Sequence, residues 1–301
     1  MVFPAIFVVY YFFMLFAKQD AFFLSIASST FYVAVIFMII VEQIFKYDNG
    51  KSQNDRIPRD LTSMFVHVYF TGPMSKLVFL PALIFLPEFL FGREHFLATT
   101  VQSWHPAIQI TLAVLFYSFL RYGIHYMQHK VEFLWKLHSY HHTITDLKAI
   151  NTLVSHPLDY MMRNYFPPLV VASVGFDPYI TFFGVAAILT GGVFSHFGAG
   201  LKAGWLNYIF ITPEIHRWHH SAVTPEGHNY AVNFGVGFVL WDRLFGTFYL
   251  PEKDGVPLQP ERLGHPSGIV DEKNYFKILF LTRHWPKGLK FWKKQEGTLA
   301  E

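Results

Sequence analysis

The chain has 301 residues, of which 52% are hydrophobic and only 15% charged, with 34 Phe and no Cys. Soluble domains carry nearer a quarter charged residues and disordered chains are poor in aromatics, so neither a polar-shelled soluble enzyme nor a disordered chain fits. The missing Cys excludes disulfides, thiolate metal sites, a Cys nucleophile and Cys-held iron–sulfur clusters, and a net charge of +3 is too small to point to nucleic acid.

Residues 3–17 (FPAIFVVYYFFMLFA) and 21–41 (AFFLSIASSTFYVAVIFMIIV) are apolar and separated only by Lys18-Gln19-Asp20. The second run reaches the ~20 residues that cross a ~30 Å hydrocarbon layer, and the two together predict a membrane hairpin. The first lacks a basic lead-in and a small-residue cleavage site, so it is not read as a signal peptide. Residues 42–63 carry Lys46, Lys51, Arg56 and Arg59, a basic loop that belongs in the cytoplasm. Residues 77–91 are apolar but interrupted by Pro81 and Pro87, and 106–120 (PAIQITLAVLFYSFL) form a cleaner span. Residues 165–195 are split by Gly175-Phe176-Asp177-Pro178, which predicts two short helices that dip in and return. Counting spans from the basic loop puts 92–104 outside and the chain from about 121 inside. No run after 196 is long enough to span. The expected fold is all-α: a multi-span membrane helical bundle with a cytoplasmic helical cap holding a histidine-rich dimetal site. Its expected parts are 1–104 (membrane hairpins and loop), 105–250 (catalytic domain) and 251–301 (cytoplasmic tail).

The 16 His are the unusual count. His125 and His129 stand in HYMQH, His138, His141 and His142 in HSYHH, and His216, His219 and His220 in HRWHH. Positions i, i+3 and i+4 share one face of an α-helix, so each cluster is expected to aim its rings in one direction. Thr212-Pro213-Glu214 opens the third cluster with a capping residue, a Pro suited to the first helical position and an acid in the first turn. Isolated His67, His95 and His105 read as packing residues. Eight imidazoles at a membrane boundary are costly to desolvate unless something coordinates them. A structural zinc takes four ligands, so eight imply two ions. Imidazole suits Zn, Fe, Cu and Ni alike. No acid lies inside a cluster. Glu132, Asp146, Glu214 and Asp242 lie nearby, where a carboxylate can orient a ligand ring; for Glu132 and Asp146 a solvated surface role is an equal alternative.

This arrangement resembles the fatty acid hydroxylase / sterol desaturase superfamily of integral-membrane di-iron oxidases. The family pattern is H-x(3–4)-H, then H-x(2–3)-H-H, then a second H-x(2–3)-H-H beyond a further membrane segment, and all three occur here in order. HKVEFLWKLHSYHH, HPLD at 156–159, TPEIHRWHH and WDRLFGTF at 241–248 resemble family stretches as well. The resemblance covers roughly 105–250.

It implies two iron ions (Zn is possible as isolated), O2 as cosubstrate, two external electrons per turnover and an oily substrate. The eight boxed His would be ligands. His196, twenty residues before the last box, stands where many members carry another. His156 is either a ligand or a cap before Pro157. His228 departs from the family's Asp before Asn-Tyr-Gly, and is a ligand, an outer partner of one or a surface residue. Trp241, Arg243 and Gly246 read as structural, with Asp242 fixing the cap or holding a ligand ring. Gly264-His265-Pro266-Ser267-Gly268 faintly resembles the haem-binding stretch of cytochrome b5, but the tail is too short and lacks a paired His, so no haem is expected. The electron donor would be a separate cytochrome b5 or ferredoxin with its reductase.

The expected reaction is hydroxylation of an unactivated C–H bond in a membrane lipid such as a fatty acyl, sphingoid, ether lipid or sterol. Desaturation on the same site is the alternative, since substrate position decides between them. Phe166, Phe182 and Phe183 are candidate substrate contacts. A membrane metal transporter is the rival of another class; its ionisable residues would sit at mid-bilayer between repeats, and no repeat is visible. The expected location is a multi-pass membrane protein with the metal site on the cytoplasmic face, in the endoplasmic reticulum or a bacterial inner membrane.

Overall fold

The computed structural model describes residues 33, 36–42, 44, 54–91, 96–198, 200–228, 231–268 and 272–279. Most of the predicted hairpin at 3–41 lies outside the described residues, as do residues 45–53 of the basic loop, residues 280–301 of the tail, and the side chains of Phe182 and Phe183.

Helix α1 (Ile57–Val66) passes through a π-helical turn (His67–Thr71) into α2 (Gly72–Phe91). Contrary to the predicted interruption, α2 runs through both Pro81 and Pro87. A helix tolerates such prolines when neighbours and local adjustment satisfy the freed carbonyls. Helix α3 (Phe96–Gln102) leads to α4 (Pro106–Lys130). His105 caps α4, its Nδ1 accepting from the Ala107 N–H at 3.2 Å, and Pro106 fills the first turn where no N–H is needed. Lys130 ends it, its charge complementing the C-terminal dipole. Among the described residues, α4 alone is long and apolar enough to cross a membrane.

Helix α5 (Glu132–His138) and a 3-10 turn (His141–Thr143) follow. The split expected within 165–195 falls between α6 (Pro157–Ser173) and α7 (Pro178–Ser195). Helix α6 opens as α4 does: His156 accepts from the Leu158 N–H at 3.2 Å ahead of Pro157. In α8 (Pro213–His219), the Thr212 hydroxyl caps the Ile215 N–H at 3.4 Å. Short helices α9 (Leu240–Leu244) and α10 (Tyr275–Ile278) follow.

The predominantly helical architecture expected from the sequence is found, with one small antiparallel hairpin among the described residues, β1 (Glu252–Lys253) with β2 (Val256–Pro257). Asp254 and Gly255 both take positive φ between the strands, as Asp-Gly does in the tightest hairpin turn. The main core joins α3, α4 and the α6–α7 pair around Val101, Ile110, Val114, Tyr117, Val171 and Ile188. A second cluster of Ile211, Ile215 and Val239 seats α8 against α9. These two packings bring the third histidine cluster beneath the end of α4.

Candidate metal centre

His125 and His129 are one turn apart on α4 and share a face. His138 ends α5, and His141 and His142 lie in the 3-10 turn beyond it. His216 and His219 are on α8, with His220 as its C-cap, and His196 directly follows α7. All nine side chains are buried.

They form two groups. His125, His129, His138, His142 and His219 each offer a nitrogen within 4.8 Å of the others, and so do His141, His196, His216 and His220. The expectation that each cluster aims in one direction is corrected here. His138 and His142 go to the first group and the intervening His141 to the second. His216 and His220 go to the second and the intervening His219 to the first. The reason is geometric: four residues is nearly a full turn, whereas one residue rotates about 100°. The groups abut, with the rings of His142 and His220 stacked at 4.4 Å and those of His216 and His219 at 5.1 Å.

Outer acceptors fix which nitrogen faces inward. His125 Nδ1 donates to the Phe234 carbonyl at 2.8 Å, and His219 Nδ1 to the Val232 carbonyl at 2.8 Å. His138 Nδ1 donates to Asp159 Oδ1 at 3.1 Å, and His141 Nδ1 to the Val154 carbonyl at 3.2 Å. His196 Nδ1 faces Asn151 Oδ1 at 3.2 Å. The Asn151 amide is oriented by the backbone: Oδ1 also accepts from the Lys148 N–H and Nδ2 donates to the Asp146 carbonyl, so His196 must be the donor.

A neutral ring that donates from Nδ1 presents a lone pair at Nε2. Yet His125 and His138 face each other Nε2 to Nε2 at 3.1 Å, and His141 and His196 at 3.2 Å. Two lone pairs at that distance repel unless a cation sits between them. Nitrogens about 2.0–2.1 Å from one ion stand roughly 3 Å apart, so the spacing suits a shared metal. Nε2 of His129 and His219, and both nitrogens of His216 and His220, are buried with no hydrogen-bond partner. The donor set thus fits two cations and leaves these atoms unsatisfied without them.

Burial, reinforced by neighbouring rings, holds His141, His142, His216 and His220 well below the ordinary histidine value of 6.5, and burial holds His219 at about 3. The rings are therefore neutral at physiological pH, the form that ligates metal.

The expected ring-orienting role of Glu214 needs correction. Glu214 touches no ring; its Oε2 accepts from the Ala203 N–H at 2.8 Å and from Asn207 Nδ2 at 2.9 Å, bracing the chain before α8. Asp242 acts one step removed. Its carboxylate accepts from the N–H groups of Phe234 and Gly235 at 2.7 and 2.8 Å and from the Thr247 hydroxyl at 2.7 Å. That fixes the loop whose Phe234 carbonyl holds His125. Burial pushes Asp242 up to about 6 against the pull of these bonds. Glu132 pairs with Lys136 at 2.8 Å and Asp146 with Lys148 at 3.0 Å, away from the rings. The carboxylate that does hold a ring is Asp159, in the HPLD stretch but not assigned a role from sequence. It also accepts from Gln128 Nε2 at 2.5 Å and pairs with Arg163 at 2.8 Å.

His156 and His228 join neither group. His156 is the cap of α6, and the half-buried His228 packs its ring 5.3 Å from Tyr249. His105 is likewise a helix cap, and His67 stacks on Tyr160 at 4.2 Å with Nε2 at 3.2 Å from the Ser155 carbonyl. Phe166 is exposed on α6.

Residues 110–247, which contain the whole arrangement, match the fatty acid hydroxylase family model. That stretch is similar to a fatty acid hydroxylase domain. The chain's relatives include the ornithine lipid hydroxylase OlsE of Rhizobium tropici, 33% identical over 152 residues, covering 50% of this chain and 45% of the relative. The alkylglycerol monooxygenase of Caenorhabditis elegans is 26% identical over 182 residues, 57% of this chain and 31% of the relative. The fatty acid hydroxylase vlmA of Lecanicillium sp is 26% identical over 215 residues, 66% of this chain and 57% of the relative. The chain thus spans 31–57% of the length of these relatives. No solved structure matches it.

Proposed function

We propose that the chain is a membrane lipid hydroxylase that holds two iron ions on nine imidazoles. His125, His129, His138, His142 and His219 would hold one ion, and His141, His196, His216 and His220 the other. The observation that carries this reading is the pair of Nε2-to-Nε2 contacts, each between rings whose Nδ1 is already committed as a donor. The family match and the hydroxylase and monooxygenase names of the relatives support hydroxylation over the other outcomes of such a site.

Bound iron would supply O2 activation, with two external electrons and two protons placing one oxygen atom in a C–H bond and releasing the other as water. The chain's own residues orient and shield. Phe234, Asp159, Val154, Asn151 and Val232 lock five rings by their Nδ1 atoms, so that Nε2 points inward. Full burial of the nine rings excludes bulk water. Tyr126 and the fully buried Phe234 pack at 5.2 Å, forming an apolar wall beside His125. Helix α4 would bring that wall to the membrane, with the site facing the cytoplasm and a separate cytochrome b5 or ferredoxin delivering electrons.

The test compares lipid extracts from cells with and without the protein, supplied with 18O2 and a competent electron donor. A lipid carrying one labelled oxygen atom is expected, and it should vanish in a His141→Ala variant that still inserts in membranes. Iron-loaded protein that yields no oxygenated lipid under these conditions would overturn the reading.

A further inference from the structure

Helix α9, in the WDRLFGTF stretch, has two unlike sides. Inward, Asp242 is fully buried among backbone N–H groups. Outward, Leu244 is 64% exposed, Phe245 56% and Leu240 39%. Leaving three large apolar side chains together in water forfeits several kcal/mol of burial free energy at 1.5–3 kcal/mol each. Contiguous exposure of this kind marks an interaction surface.

The neighbours of α9 indicate what covers it. Trp241 packs 5.0 Å from Phe119 and donates from Nε1 to the Ser118 hydroxyl at 2.9 Å. Phe245 lies 5.4 Å from Tyr122 and 6.3 Å from Phe119. Phe119 is itself exposed and falls on one face of α4 with exposed Ile108 and Leu112, four and eleven residues after the first. The apolar surface of α4 therefore continues without a break onto α9. Ser118 precedes His125 by seven residues, ~10 Å along the helix at 1.5 Å per residue. So α9 meets α4 within its apolar length, deeper than the histidines rather than past the helix end. Arg243, the charged exposed residue of α9, turns its guanidinium over the rings of Tyr208 and Phe248 at 5.3 and 5.2 Å, toward the polar hairpin side.

We propose that the outward edge of α9 is inserted in the bilayer, with lipid acyl chains as its occupant. This rests on reading α4 as a membrane span. The same five-residue helix then has lipid on one side and, through Asp242 and the Phe234 carbonyl, the His125 ring on the other. Its insertion sets the depth of the metal centre relative to the lipid chains.

The absence of native Cys allows single Cys variants of the whole protein to carry a fluorophore. Leu112→Cys, Leu244→Cys and Lys253→Cys, each labelled with bimane, are reconstituted in phosphatidylcholine vesicles. Quenching is read with an acyl-chain nitroxide lipid and with aqueous iodide. At positions 112 and 244 the nitroxide lipid should remove most of the fluorescence and iodide little, with the reverse at position 253, in the hairpin. Quenching of position 244 by iodide, with position 112 still quenched by lipid, would overturn the inference and leave the span intact. Quenching of position 112 by iodide would remove the span on which it rests. Protection of position 244 from both quenchers would show protein covering the edge, such as a second copy, and would overturn it equally.

Discussion

The crossing of His141 and His219 between the two groups has a consequence that a metal count can read. If the groups are two metal sites, His141 shares an ion with His196, His216 and His220, and not with its sequence neighbours His138 and His142. Replacing His141 by Ala leaves that ion three nitrogens. Even loss of an outer partner of a ligand costs 10–100-fold in affinity, ~1.4–2.7 kcal/mol, and loss of the ligand itself costs more. The five-histidine group can lose one nitrogen and still keep the four that a tetrahedral site needs. His141→Ala should therefore drop the content from about two ions per chain to about one, while His142→Ala resists the same chelator. The decisive variant is His141→Ala with His216→Ala, residues 75 positions apart in the chain. It removes two ligands of one ion, so the content should fall no further than in His141→Ala alone. The assay is elemental analysis after chelator treatment and gel filtration, with helicity confirmed by circular dichroism. If each H-x-x-H-H box bound its own ion, the double variant would damage both sites and lose both ions. That outcome would refute the partition.

The outer partners give a matching pair of predictions. Asp159→Asn keeps the volume but puts an uncharged amide against His138 Nδ1 and Arg163, and should weaken the five-histidine ion by 10–100-fold while sparing the other. Asn151→Ala, which frees His196 Nδ1, should do the reverse, and equal loss of both ions in either variant would contradict the assignment. Acid should unfold the metal-free protein through its histidines. His219 has a folded value of about 3 against 6.5 when unfolded, so its stabilisation is complete above pH 6.5 and is lost as pH falls toward 3. The loss is ~1.4 kcal/mol per pH unit, about 5 kcal/mol by pH 3 for this residue alone. A melting temperature flat from pH 7 to 5 would count against burial of neutral rings. At Gly235 a Cβ would sit 2.4 Å from the Phe238 carbonyl oxygen and 2.6 Å from Asp242 Oδ2. Gly235→Ala should therefore cost about 2–3 kcal/mol or more and displace the carbonyl that holds His125, and an unchanged melting temperature would show that the loop yields freely.

The sequence displays ligands better than it displays their partition, for a physical reason. Residue type and close spacing are local, and the nine histidines brought together here were visible as three boxes plus His196. Which ion a ring serves depends on rotation about a helix axis. The i and i+4 pairs His125/His129, His138/His142 and His216/His220 each stay together because four residues nearly close a turn. His141 and His219 sit between such pairs and face elsewhere. Their destination was fixed only by how α5, α7 and α8 pack. Outer partners are less legible still. Three of the five are backbone carbonyls, at Phe234, Val232 and Val154, and a carbonyl has no signature in sequence. Asp159 could have been found: it stands three residues after His156, in the first turn of a helix opened by Pro157, and i+4 from it is the Arg163 that pairs with it. Proximity in the chain favoured Glu214 and Asp242 instead, because distance along the sequence was standing in for distance in space. Asp242 does reach a ligand, but by way of the Phe234 peptide. The WDRLFGTF stretch therefore bears on the metal centre by placing backbone, and no side chain of it need touch a ring for its loss to disturb His125.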